Sequence, residues 1–277
     1  MIPGAFNALT ARLAERLGFR AIYLSGGALS AGWAGLPDVG LLSQTEFADQ
    51  AAVLARSTSL PVLSDADTGF GEAINVVRTV HLFEAAGVAG LHLEDQVLPK
   101  RCGHLSGKSL VSGADMVAKI RAAISARRDA DFVIVARTDA RTVEGFDAAV
   151  ARANDYVAAG ADMIFPEALE SIEEFARFAQ LVRAPLIANM TEFGRSPLIP
   201  IEQLGAIGYQ AALYPLTAFR AAMRAAELAL TTLRDQGTQR ETLGQMQTRA
   251  ELYDLLDYQD WERRDQEYFS TSPGSLG

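Results

Sequence analysis

One pattern limits this chain more than any other. Short runs rich in Val, Ile and Leu alternate with longer segments of helical spacing, and the alternation repeats about eight times. Strands are expected at 21–24, 61–65, 90–94, 132–137, 163–165, 185–188 and 209–213, after a short one in 1–6. Between them fall helices at 8–17, 43–57, 72–86, 112–128, 144–159, 171–181, 201–204 and 217–234. The strand runs are continuously apolar rather than alternating, so both of their faces are buried. Such a series predicts an α/β fold, a closed (β/α)8 TIM-type barrel. An open doubly wound sheet is the alternative. It needs a glycine fingerprint, and no G-x-G-x-x-G follows the first strand.

Local signals set the expected boundaries. Asn7 caps the first helix and Gly18 ends it. Ser43 with Glu46 forms a capping box. Ser25-Gly26-Gly27 reads as a tight turn, and 32–40 as a loop carrying Pro37-Asp38. A single domain is expected over 1–277, with the barrel in 1–235. A C-terminal helical extension occupies 236–277. It consists of a linker at 236–238, helices at 243–256 and 261–269, and a frayed tail from 270.

Composition narrows the function classes. The net charge is −9 and no basic stripe appears, which excludes a nucleic-acid surface. No apolar run approaches the roughly 20 residues of a membrane span. One cysteine leaves no internal disulfide and suits a reducing cytoplasm. No charged n-region with an apolar core opens the chain, so no signal peptide is expected.

In such a barrel the chemistry gathers where the strands end. Asp65 and Asp67, Glu94 and Asp95, Arg137 and Asp139, Glu167, and Asn189 with Thr191 all fall at expected strand ends. Asp65-Ala66-Asp67 sends two carboxylates to one side, which is costly without a cation between them. The three histidines are scattered and there is no second cysteine, so the donors suit a hard ion such as Mg2+, with Asp38 and Glu94 holding its waters. By itself, D-x-D is also an ordinary surface turn. Arg137, Arg220 and Arg249 are candidates to grip substrate carboxylates, although each alone reads equally as a salt-bridge partner. Ser25-Gly26-Gly27 could offer backbone amides to an anion.

Cys102 lies in Lys100-Arg101-Cys102-Gly103-His104. Its cationic neighbours are expected to hold the thiol pKa below the free value of about 8.5. The bland alternative is a small side chain on a basic loop.

Taken jointly, these motifs resemble the isocitrate lyase/phosphoenolpyruvate mutase superfamily. The matching pieces run from Tyr23-Leu24-Ser25-Gly26-Gly27 through Leu36-Pro37-Asp38, Asp65-Ala66-Asp67-Thr68-Gly69-Phe70-Gly71 and His92-Leu93-Glu94-Asp95-Gln96. They continue with the Cys102 run, Ala136-Arg137-Thr138-Asp139, Phe165-Pro166-Glu167-Ala168, Asn189-Met190-Thr191-Glu192-Phe193-Gly194 and Leu213-Tyr214-Pro215. Arg220 and Thr248-Arg249-Ala250-Glu251-Leu252-Tyr253 complete the set. The resemblance implies Mg2+- or Mn2+-assisted retro-Claisen cleavage of 2-methylisocitrate to pyruvate and succinate. Asp65 and Asp67 would hold the ion, and Asp38 and Glu94 would reach it through water. Cys102 would be the general acid, in a loop whose Lys100 and His104 share the catalytic work, and Tyr23 is a candidate base. Ser25, Gly26, Gly27, Cys102, Gly103, Arg137, Glu167, Asn189, Met190, Thr191, Arg220 and Arg249 would bind the di- or tricarboxylate.

Phe165 and Leu213 match positions that line a methyl pocket. A loop over 97–111 would close on the ligand. Members of the group are commonly homotetramers that exchange C-terminal helices. Two departures stand out: members of the group usually carry a helix before the first strand, whereas this sequence starts almost at that strand, so either the barrel floor is less covered or the true start lies upstream; and Leu105-Ser106-Gly107-Lys108, after the Cys102 run, varies among lyases of the group. Related lyases acting on isocitrate or 2,3-dimethylmalate, an oxaloacetate decarboxylase or phosphonopyruvate-type enzyme, and a silent di-acid binder are the competing readings.

Overall fold

Two sets of parallel strands dominate the molecule. The structure is a computed structural model and describes residues 1–104 and 107–270. Leu105, Ser106 and the expected tail from 271 onward lie outside the described residues. The chain divides into two compact units, Met1–Ala221 and Ala222–Gly277.

In the first unit the order is β1 (Ile2–Pro3), α1 (Ala8–Arg16), β2 (Ile22–Leu24), α2 (Gly26–Ala34), α3 (Gln44–Ser57), β3 (Val62–Asp65), α4 (Ala73–Ala86) and β4 (Gly90–Glu94). Then come α5 (Gly113–Ala126), β5 (Val133–Thr138), α6 (Ala140–Val143), α7 (Phe146–Ala158), β6 (Met163–Pro166), α8 (Ile172–Leu181), β7 (Ile187–Asn189), α9 (Ile201–Ile207) and β8 (Ala211–Tyr214). The sheets are β2-β3-β4-β5-β6 and β1-β8-β7, parallel throughout. Single parallel bridges, Gly4 to Tyr23 and Ile164 to Leu186, join them at both seams. The strands therefore close in sequence order, β1 through β8 and back to β1, as the expected barrel requires.

Apolar side chains fill both layers. Inside the ring, Tyr23, Val135, Phe165, Ile187 and Leu213 pack together. Outside it, Phe47, Phe83, Tyr156, Phe175 and Phe178 are fully buried under the helices. Each such side chain contributes about 1.5–3 kcal/mol on burial. Register then sets the rim. Asp65 lies opposite His92, Glu94 opposite Arg137, and Arg137 opposite Phe165.

Capping agrees with the sequence at several helices. Asn7 Oδ1 accepts from the Thr10 amide at 2.8 Å, and Ser43 with Glu46 closes the capping box. The segment after β2 differs from expectation. Residues read as a turn and a loop form helix α2, capped by Ser25 and ended by Gly35 at φ 66°. Its sequence, GGALSAGWA, carries three glycines, each costing about 1 kcal/mol against Ala in a helix. Burial of Ala28 and Leu29 together with the Ser25 cap outweighs that propensity.

α10 (Thr217–Gln236) starts in the first unit and ends in the second. A 3-10 turn (Arg240–Gln245), α11 (Arg249–Leu255) and α12 (Tyr258–Ser270) follow. The single helix expected at 243–256 is broken, because Thr248 and Glu251 form a new capping box that starts α11. Among the described residues no helix is long and apolar enough to cross a membrane.

Gly90 shows how tightly β4 fits. A Cβ there would lie 2.5 Å from the Val133 carbonyl oxygen. Gly90→Ala is expected to lower unfolding free energy by about 1–3 kcal/mol in a urea titration. A change within experimental error would contradict this packing.

Candidate active site

Asp65, at the end of β3, is held from three sides. Its Oδ2 accepts from the Gly26 amide at 3.0 Å and from the Tyr23 hydroxyl at 3.4 Å, and its Oδ1 accepts from the Asp67 amide at 2.9 Å. The Gly26 bond brings the amino end of α2, with its positive dipole end, onto the carboxylate. Only glycine fits there, since a Cβ would sit 2.7 Å from Asp65 Oδ2. Burial opposes ionisation of Asp65, but His92, Lys100 and Arg137 outweigh it and hold the pKa at about 2. Asp67 goes the other way. Burial and repulsion from Asp65 and Asp38 push it up to about 7, although Lys100 pulls it down. Burial drives Glu94 well above the usual carboxylate range, against the pull of Arg137 and Lys100.

The oxygen set fits a hard cation. Asp65, Asp67 and Glu94 are buried, and Glu94 Oε1 has no hydrogen-bond partner among the described residues. Lys100 bridges Asp38 and Asp67, with 3.0 Å to Asp67 Oδ1. Among the described residues, no three His, Cys, Asp or Glu side chains form a ready-made cage. One or two carboxylates completed by water and substrate oxygens is the Mg2+ manner of binding.

The Cys102 thiol corrects one expectation. Burial pushes its pKa up, above the usual thiol range rather than below it. The nearby basic side chains are already engaged. Lys100 serves Asp38 and Asp67. Arg137 Nε lies 2.9 Å from Asp139 and 3.3 Å from Glu94, with Nη2 3.5 Å from Glu167. His104 Nε2 is 2.7 Å from Glu167 Oε1. A thiol that keeps its proton suits an acid better than a nucleophile.

Glu167 is the anchor for the far wall. Burial opposes its charge, but Arg137, His104 and Lys108 hold it at about 2, and the Asn189 amide donates to it at 3.2 Å. Gly103 presses on this pair so closely that a Cβ would lie 2.4 Å from Arg137 Nη2. Lys108 donates to the Gly103 carbonyl and to Asp139, the latter at 2.6 Å.

Many of these groups line one cavity of about 60 Å3. Tyr23, Lys100, Cys102, Gly103, His104, Asp38, Asp65, Arg137 and Glu167 line it, and Ser25, Gly27, Asn189 and Thr191 complete the wall. Phe165 and Leu213 form its apolar side. Tyr23 is buried, its hydroxyl 2.8 Å from His92 Nε2, and burial raises its pKa well above the phenol range.

Two expected contacts are placed elsewhere. Met190 is buried in the outer core, its sulfur accepting from the Ile199 amide at 3.3 Å, so its side chain is no wall of the cavity. Arg220 lies 3.7 Å from Glu192 and over the Phe193 ring, half exposed. Arg249 opens α11 in the second unit.

Sequence reasoning missed one pairing. His104 Nδ1 accepts from the Arg195 amide at 2.9 Å, which leaves Nε2 to donate toward Glu167. Gly194 makes room, as a Cβ there would lie 2.7 Å from His104 Nδ1. Neither residue carries a motif that announces this. Gly194→Ala is expected to cut kcat at least tenfold, and little further in a His104→Ala background. Equal losses in both backgrounds, read from steady-state kinetics, would contradict the contact.

Comparison with known proteins shows what the chain as a whole is similar to. The Phosphoenolpyruvate phosphomutase family matches residues 1–234. The chain is 55% identical over 265 residues to a 2-methylisocitrate lyase of Aeropyrum pernix, covering 96% of this chain and 85% of that one. It is 49% identical over 272 residues to the 2-methylisocitrate lyase of Escherichia coli, covering 98% and 92%. Among solved structures, 2,3-dimethylmalate lyase superposes with a TM-score of 0.91 at 34% identity, covering 100% of this chain and 93% of that one. A phosphonopyruvate hydrolase complexed with oxalate and Mg2+ gives 0.87 at 32% identity, covering 97% and 93%. The chain belongs to the phosphoenolpyruvate mutase/isocitrate lyase superfamily.

Proposed function

We propose that this protein is a carbon–carbon lyase that cleaves 2-methylisocitrate to pyruvate and succinate. One observation carries the reading. Buried Asp65, bonded to the amide of buried Asp67 behind it, and a protonated thiol face a single cavity, in a chain about half identical to proteins named for this reaction. Asp65 and Asp67 would hold Mg2+ or Mn2+, with Asp38 and Glu94 in its surroundings. Once bound, the ion acts as a Lewis acid that stabilises negative charge on the substrate oxygen.

The chain's own groups account for the other requirements. The substrate hydroxyl loses its proton and becomes the carbonyl of pyruvate. The C2–C3 bond breaks, and its electron pair moves to the succinate carbon as an aci-carboxylate. Cys102 S–H protonates that carbon, and burial keeps the thiol loaded until then. Arg137 holds a carboxylate, while the Ser25 and Gly27 segment, Asn189 and Thr191 orient the acid. Phe165 and Leu213, both buried on the cavity wall, suit the methyl of the pyruvate half. Tyr23 remains the candidate base; burial raises its pKa well above the phenol range, so it would have to lose its proton before accepting one from the substrate.

The second unit supports a homotetramer with exchanged C-terminal helices. It exposes Leu228, Leu230, Leu233, Leu243, Trp261 and Phe269, a large apolar surface for one subunit. Arg249, on α11, would then be the second carboxylate-binding arginine of the assembled enzyme.

A pyruvate-coupled assay with 2-methylisocitrate should show activity that EDTA abolishes and Mg2+ restores. Isocitrate, which lacks the methyl, should be cleaved, with glyoxylate as the readout, at a kcat/KM lower by roughly tenfold or more, and 2,3-dimethylmalate, which keeps that methyl but lacks one carboxylate, should also turn over more slowly. Cys102→Ser should cost about 100- to 10,000-fold in kcat. Full activity of that variant would favour a phosphonopyruvate-type reaction instead.

Metal affinity should depend on pH. Asp67 must lose its proton to ligate an ion, and its pKa is pushed up to about 7. Affinity is therefore fully expressed above this value and falls as pH drops through it. Between pH of about 8 and about 6, Mg2+ binding should weaken roughly tenfold, with proton release on binding. Calorimetry in buffers of different ionisation enthalpy reads both, and a pH-independent affinity would contradict the assignment.

A further inference from the structure

Lys119 is a buried lysine that the proposed reaction does not use. It lies on the inward stripe of α5 with Met116, Ile120 and Ala123, where an apolar residue is expected, and is 5% exposed. Burial pulls its pKa below the usual lysine range, partly offset by Glu72 and Asp115. A charged group in such a place needs a compensating bond. Its ammonium donates to the Thr68 carbonyl at 3.0 Å.

That carbonyl belongs to an unusual turn. Asp67, Gly69, Phe70 and Gly71 all have positive φ, at 46°, 88°, 58° and 141°. Left-handed backbone at Asp67 and Phe70 costs free energy and persists only where its surroundings hold it. Three successive carbonyls of the turn are each met by a donor from a different element. The Glu94 amide of β4 reaches the Asp67 carbonyl at 2.9 Å. Lys119 of α5 reaches Thr68. Thr79 Oγ1 of α4 reaches the Gly69 carbonyl at 3.0 Å.

We propose that Lys119, seconded by Thr79, is a positioning residue that pins the 67–71 turn and so holds the Asp67 carboxylate where a divalent cation meets it. The inference rests on the metal assignment made above. It places a determinant of cation affinity in the outer helical layer, away from the cavity wall. Removing the ammonium frees the Thr68 carbonyl, lets Asp67 relax toward ordinary backbone and weakens the ion's grip. Chemistry at saturating metal is left largely intact.

The test uses the full chain and Mn2+ alone, its binding read by electron paramagnetic resonance. Lys119→Met keeps length and burial. It should raise the Mn2+ dissociation constant roughly tenfold or more and raise the Mg2+ activation constant in parallel. At saturating metal, kcat should stay within about twofold of the unsubstituted protein. Lys119→Arg should restore affinity, because the guanidinium can reach the same carbonyl. Thr79→Val removes the second pin and should weaken Mn2+ in the same direction, which keeps the test open should Lys119→Met fold poorly. Unchanged Mn2+ affinity in Lys119→Met and Thr79→Val would overturn the role of these pins alone. Failure of the unsubstituted protein to bind Mn2+ would overturn the metal assignment and this inference with it.

Discussion

Negative charge crowded into the mouth of a barrel is the constraint on which the rest depends. Asp65, Asp67, Glu94, Asp139 and Glu167 are all buried there, and Lys100, Lys108 and Arg137 are buried with them. Carboxylates this close cannot all ionise without further positive charge. The protein's answer is uneven. Asp65 and Glu167 sit at about 2, while Asp67 rises to about 7 and Glu94 higher still. On the proposed assignment, a divalent cation held by Asp65 and Asp67 would supply that positive charge in place of the Asp67 proton. Folding and ion binding therefore draw on the same electrostatics.

The barrel creates that crowding through register. Parallel strands in sequence order put Asp65 level with His92, and Glu94 level with Arg137. An apolar plug of Tyr23, Val135, Phe165, Ile187 and Leu213 lies within the ring. It lowers the local dielectric and strengthens every charge interaction above it. Two of its members, Phe165 and Leu213, also form the apolar wall of the cavity. The same packing thus supports the fold and, on the proposed function, would select the substrate.

Much of this was readable from the chain because it is local. Strand runs of Val and Ile announced the barrel, and the polar residues following them announced the rim. Asp65, Asp67, Arg137 and Glu167 stand out for that reason, and Cys102 as the one cysteine in a cationic loop. What escaped is non-local or works against propensity. Helix α2 carries three glycines and forms only because it is buried and capped. The Cys102 thiol was expected to be acidic from Lys100, Arg101 and His104. The residues that neutralise Lys100 and His104 are Asp38 and Glu167, more than sixty residues away in the chain on each side. Met190 sits beside Asn189 in the chain, yet the strand end turns its sulfur into the core. Arg195 meets His104 through a backbone amide, which no side-chain pattern can signal.

The central claim is spatial: one divalent ion and one thiol share a cavity and act on either side of a breaking carbon–carbon bond. A crystal structure of the protein with Mn2+, pyruvate and succinate, phased on the manganese anomalous signal, tests it most directly. The account predicts a single strong peak at about 2.0–2.2 Å from a carboxylate oxygen of Asp65 or Asp67. Pyruvate oxygens should lie on the metal and Cys102 Sγ should face the succinate carbon. Manganese bound elsewhere, or a thiol turned away from succinate with the cavity filled, would contradict it.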